Sequence, residues 1–178
     1  MGGSSSDGEI KNCYNSGAVS GTKNVGGICG TGNSNSLSGC FNSGEVTGTG
    51  NIGGICGSVS GYESNGHEIV SSVSGCANTG KVSGSGSLGS VCGNGGDHSS
   101  FTDCIYSSGS GLTAIGGKAD ISGSASSVPA DEVIKSFRPE SWTEGYVREN
   151  VDGRKKTILR ADPVPAGAKQ EETRLEYY

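Results

Sequence analysis

The chain has 178 residues, enough for one ordinary domain or one short repeat array, and its net charge of -5 offers no basic surface for nucleic acid or an anionic membrane. Hydrophobic residues make up 31% and aromatics 6%, too few for a conventional layered core, while 34 Gly and 4 Pro stay below the roughly 25–30% that marks low-complexity disorder. The fold must close backbone hydrogen bonds efficiently around small side chains.

The opening MGGSSSDGE lacks the basic and apolar regions of a secretory signal, so residues 1–9 read as an added lead or a linker. No stretch approaches the roughly 18–20 apolar residues of a membrane span, and membrane insertion is not expected. Composition then divides the chain: 31 of the 34 Gly lie at or before Gly123, and 9 of the 13 Lys and Arg lie after it.

From residue 10 the chain repeats itself. CYNSGAVSGTKNVGGICG from Cys13, CFNSGEVTGTGNIGGICG from Cys40 and CANTGKVSGSGSLGSVCG from Cys76 align without a gap. A fourth, eroded copy begins at Phe101 and Cys104, and its IGGKAD places Ala119 where a closing cysteine is expected. The opening cysteines are 27, 36 and 28 residues apart, so the second unit carries a loop near GYESNGHEIVSS. The repeat boundaries are 10–36, 37–72, 73–100 and 101–122.

Glycine every few residues costs about 0.5–1 kcal/mol per helix-interior position, and the other residues are Val, Ile, Ser, Thr and Asn, so helices are excluded. Short strands ended by Asn-Ser-Gly turns predict an all-β fold, a parallel β-solenoid of about four coils. Stacked about 4.8 Å apart, equivalent residues form ladders. Val19, Val46 and Val82 make one, Val25, Ile52 and Leu88 a second, and Ile28, Ile55 and Val91 a third. Asn15, Asn42 and Asn78 make an amide ladder at a turn.

These residues carry a resemblance. NSGAVSG…VGGICG, NSGEVTG…IGGICG and NTGKVSG…LGSVCG resemble the GLUG-motif repeats of bacterial surface and secreted proteins, among them adhesin-like proteins and regions of IgA-specific metallopeptidases. The resemblance covers about residues 10–122. It implies an extracellular or cell-surface β-solenoid that is one section of a longer bacterial protein, and it carries over no catalytic residue.

Beyond Ser127, SVPADEVIKSFRPESW has Pro followed by acidic residues, the N-terminal signature of a short helix running to about Phe137. Trp142, Tyr146, Val147, Ile158 and Leu159 follow. Residues 123–162 are expected to cap the solenoid, whose open end exposes strand edges, and 163–178 read as a linker or tail.

The seven cysteines divide into openers Cys13, Cys40, Cys76 and Cys104 and closers Cys29, Cys56 and Cys92, 16 apart within a unit. Three arrangements stay open. One is intra-coil disulfides Cys13–Cys29, Cys40–Cys56 and Cys76–Cys92 with Cys104 unpaired; another is two ladders of buried thiols; the third is a metal site, disfavoured because no C-x-x-C pair exists.

GTGNIG at 48–53 and GSGSLG at 84–89 satisfy a dinucleotide fingerprint, but neither precedes a helix and both sit at one repeat phase, so they are structural. The Asp-His pair in GNGGDHSS is tied to no nucleophile. No acid and base groups pair at a definable spacing, so no enzyme, cofactor or metal is expected. Ser20, Thr22, Thr47, Thr49, Ser83 and Ser85 repeat in register as a hydroxyl stripe, and the loop with Tyr62 and His67 projects. These are the expected contacts for a surface glycan or protein. The function that follows is an adhesive surface or stalk; the alternative is an accessory region of a secreted peptidase or glycan-degrading enzyme whose catalytic domain lies elsewhere.

Overall fold

The computed structural model describes residues 4–6, 8–117, 122–137, 142–143, 146–151, 154–159 and 164–165. They form a parallel β-solenoid in which each full coil is a succession of five short strands. In the second coil these are Ser36–Ser38, Phe41–Asn42, Val46–Gly48, Asn51–Gly53 and Cys56–Ser60. Each pairs in parallel with its counterpart one coil away, Ile52 lying between Val25 and Leu88, and Val46 between Val19 and Val82. The third expected ladder is equally direct: Ile28 N–H donates to the Ile55 carbonyl, and Ile55 N–H to that of Val91. A further ladder runs Ile10, Leu37, Val73 and Phe101.

A left-handed residue precedes every opening cysteine: Asn12 (φ 51), Gly39 (φ 59), Gly75 (φ 53) and Asp103 (φ 52). Asn, Gly and Asp tolerate this conformation best, so the chain turns a corner here without the strain other side chains would meet. The turn glycines answer a different need. A Cβ on Gly44 would run into the Gly17 carbonyl, and one on Gly80 into the Gly44 carbonyl, so the coils stack closely only without side chains at that position.

The interior divides in two. Leu37, Ile55, Val59, Val73, Val91 and Phe101 pack with the cysteines in the main core, while Val25, Val46, Ile52 and Val82 fill a smaller lobe. A third cluster lies outside the stack. Tyr14, Phe41, Ala77 and Ile105 immediately follow the inward cysteines, so strand alternation turns them outward, and the helix Ala130–Ser136 covers them with Val133 and Phe137. Phe41 stacks on Phe137 with ring centroids 5.3 Å apart and on Tyr14 at 5.7 Å. Fully burying a side chain of this size stabilises by about 1.5–3 kcal/mol.

The structure thereby refines the expected cap. The strand Ser122–Val128 adds a fifth rung, pairing in parallel with the long strand Ser99–Ser107, and the helix then packs along the flank. Two hairpin-like pairings follow, Tyr146–Val151 with Arg154–Leu159 and Trp142–Thr143 with Val164–Pro165. The last two residues lie inside the segment expected as a tail, whose remainder, like Ala119, falls outside the described residues. At the other end Ser4–Ser6 is a strand on Thr31–Asn33, so part of the expected lead joins the stack.

The fourth coil departs from the repeat phase. Ile115 bridges Cys92, and Val91 and Cys92 donate backbone hydrogen bonds to the Ala114 carbonyl. The closing position thus comes early. A single turn of 3-10 helix, Ser108–Ser110, and Leu112, which packs on the smaller lobe, replace the corresponding strands of a full coil.

Candidate functional site

The loop of the second unit is an ordered β-hairpin. Tyr62–Ser64 pairs antiparallel with His67–Ile69, Tyr62 opposite Ile69, Glu63 opposite Glu68 and Ser64 opposite His67. Asn65 (φ 52) and Gly66 (φ 76) supply the two left-handed residues of a type I′ turn. The base is pinned where the hairpin leaves and rejoins the coil. Ser71 Oγ donates to the Ser60 carbonyl at 2.7 Å, Gly61 N–H to that of Asp97 and Ser71 N–H to that of His98.

Tyr62 and Val70 are the exposed large apolar residues among those described, and His67 is exposed between them. The imidazole that makes a contact is the other one: His98 Nδ1 lies 2.7 Å from Glu68 Oε1. That hydrogen bond raises the His98 pKa, and the charges of Glu68, Asp97 and Glu63 add to it. A protonated His98 offsets the repulsion between Glu63 and Glu68, which face each other across the hairpin. His98 and Glu68 are 30 residues apart, and no local pattern announces their contact.

The hydroxyl stripe is present as a register. Ser20, Thr47 and Ser83 pair in sequence across adjacent coils, and Thr49 Oγ1 donates to the Thr22 carbonyl at 2.9 Å. Ser20, Thr22, Thr49 and Ser85 are exposed, whereas Thr47 and Ser83 are half-buried. Two further rows escaped sequence reasoning. Ser36, Ser72 and Ser100 stack in register beside Ser38, Ser74 and Thr102, with Ser72 Oγ donating to Ser36 Oγ at 3.1 Å. The signal was the alternation in SLSGC, SVSGC and SFTDC, an inward apolar residue between two outward hydroxyls. The fingerprint segments 48–53 and 84–89 run from strand to strand, with no helix after them.

All seven cysteines belong to the main core and all are free thiols, Cys13 half-buried and the other six buried. The pairings Cys13–Cys29, Cys40–Cys56 and Cys76–Cys92 are therefore absent from this structure. The geometry supplies the reason. Contacts between thiols run along the axis, from Cys13 to Cys40, Cys40 to Cys76 and Cys56 to Cys92. The closers Cys29, Cys56 and Cys92 stack in register as one column and the openers line the same core as another.

Openers and closers are anchored in opposite senses. The sulfurs of Cys13, Cys40, Cys76 and Cys104 lie 3.4–3.6 Å from the carbonyl oxygen two residues before them, whereas those of Cys29 and Cys92 lie 3.2–3.3 Å from the carbonyl oxygen two residues after. Burial raises Cys56 well above the usual thiol range and Cys104 to about 11. Cys76 is likewise held well up because it donates to Cys40, and the same hydrogen bond, with help from Cys13, lowers Cys40 to about 7 against the opposing effect of burial. Among the described residues no cluster of three or more His, Cys, Asp or Glu is arranged to hold a metal, and no helix is long and apolar enough to cross a membrane. Comparison of the chain with family models, with curated proteins and with solved structures finds no match.

Proposed function

We propose that this chain is a non-catalytic section of a bacterial cell-surface protein, built from GLUG-type repeats, that serves as an adhesive surface or stalk. The observation that carries the reading is the in-register stack from Ile10 to Phe101, from which one ordered hairpin, 62–69, stands out with Tyr62 exposed. A stack closed by backbone hydrogen bonds in every coil resists bending, and an exposed aromatic on a pinned hairpin meets a partner with little entropy to lose. The row Ser36, Ser72 and Ser100 lies on the strands where the hairpin rejoins the coil, and its hydroxyls suit the polar faces of a glycan. Location outside the cell is compatible with a thiol-rich core, because six of the seven thiols are buried away from soluble oxidants and Cys13 alone is half-exposed.

The test is binding of the purified chain to glycan and extracellular-matrix protein arrays, beside two variants: one with 62–69 replaced by a two-residue Asn-Gly turn, the other carrying Thr47→Val plus Thr49→Val. Hits lost in either variant support adhesion and assign the surface. An absence of hits refutes adhesion and leaves the stalk role, which requires a single extended particle in small-angle scattering; a broad distribution of sizes refutes that as well.

A further inference from the structure

The opening thiols form a graded column. Cys104 and Cys76 are buried, Cys40 is buried, and Cys13 at the amino-terminal end is half-exposed. Two backbone hydrogen bonds bracket the last pair, Asn12 N–H to the Ser38 carbonyl at 3.0 Å and Phe41 N–H to the Cys13 carbonyl at 2.9 Å. Tyr14 and Asn15 continue the register onto Phe41 and Asn42. Adjacent parallel strands hold facing Cα atoms about 4.8 Å apart, inside the roughly 4.4–6.8 Å that a disulfide spans. The Cys40 sulfur leans toward the first coil, where it also reaches the Ile10 carbonyl at 3.7 Å.

We propose that Cys13 and Cys40 are a redox-modification site, at which a small-molecule disulfide entering at Cys13 is exchanged for a Cys13–Cys40 bond that staples the first coil to the second. The Cys13 thiolate attacks one sulfur of the small disulfide, whose S–S bond breaks and releases one small thiolate. Cys40 then attacks the Cys13 sulfur, the mixed disulfide breaks, and the second small thiolate leaves. The two cysteines lose two protons and two electrons; the small disulfide gains both pairs and becomes two thiols. Cys40 suits the second step, since the hydrogen bond from Cys76 lowers its thiol and persists once Cys13 carries the mixed disulfide. The Cys56 and Cys92 thiols are also in contact, but both are buried and no reagent meets them first.

The bond acts at one open end of the stack. Among the described residues, Tyr14–Asn15, Val19–Ser20 and Asn24–Gly26 are terminal strands in their sheets, paired on one side only. Closing Cys13 to Cys40 draws the two Cβ atoms together and ties that edge to the second coil.

The test treats the native chain with oxidised glutathione, alkylates the remaining thiols, and digests with chymotrypsin, which cuts after Tyr14, Leu37 and Phe41. The expected result is a loss of two of the seven free thiols and a disulfide joining the peptide that ends at Tyr14 to peptide 38–41. A bond from Cys13 to peptide 15–37, which contains Cys29, overturns the proposal. So does glutathione retained on Cys13 with Cys40 alkylated, or a thiol count that does not change. Cys13→Ser, at the half-exposed end of the column, must block the loss of both thiols; closure of another bond in that variant also refutes the assignment.

Discussion

Asn42→Ala is the sharpest test of the stack. The Asn42 amide is fully buried and makes three hydrogen bonds, donating to the Gly44 carbonyl at 2.9 Å and to Asn78 Oδ1 at 2.8 Å while accepting from Asn15 Nδ2 at 2.8 Å. Truncation removes all three. Asn78 Oδ1 keeps the Gly80 N–H, and Asn15 keeps the Gly17 carbonyl, but the Gly44 carbonyl loses its side-chain donor inside the stack. At about 1 kcal/mol for each of the three net hydrogen bonds and 1–3 kcal/mol for a buried group left unpaired, the cost is about 4–6 kcal/mol, a large part of the stability of an ordinary domain. Asn15→Ala makes the matching change at the half-exposed end, where water replaces what is lost, and should cost about 1 kcal/mol. Urea titration followed by circular dichroism measures both. Equal costs for the two variants, or less than about 1 kcal/mol for Asn42→Ala, would show that the ladder does not hold the coils together.

Alkaline stability follows from the thiols: burial raises Cys104 to about 11 from an ordinary value of 9.0, so its contribution is complete below pH 9 and is lost as pH rises through about 11. Two units correspond to roughly 2–3 kcal/mol, and the urea midpoint should fall between pH 8.5 and 11; a flat profile refutes the buried, protonated state. His98 is raised by its hydrogen bond to Glu68, so the pair is intact below the ordinary histidine range and dissolves as pH rises through the elevated value. An NMR titration should place His98 above the ordinary histidine value, and Glu68→Gln should bring it down; identical curves in the native protein and the variant would contradict the contact.

Much of the stack was legible because stacking is a one-dimensional problem. Each ladder joins residues at one repeat phase, so Val25, Ile52 and Leu88, or Asn15, Asn42 and Asn78, were found by alignment alone. The helix at Ala130–Ser136 was equally readable from Pro129 and the acidic first turn. Lateral relations were not. Nothing in the repeat phase says that the helix covers Phe41, because that depends on where the chain travels after Ser122–Val128 has added its rung. Nor does the phase show that Ile115 closes the fourth coil, since spatial position there follows a shortened path rather than a residue count. The cysteines make the same distinction. Their two columns follow from sequence, but whether a thiol meets its own coil or the next depends on the rise of the chain along the axis. Identity between repeats determined the register; only the three-dimensional path, which brings His98 to Glu68 and Cys13 to Cys40, decided which side chains meet.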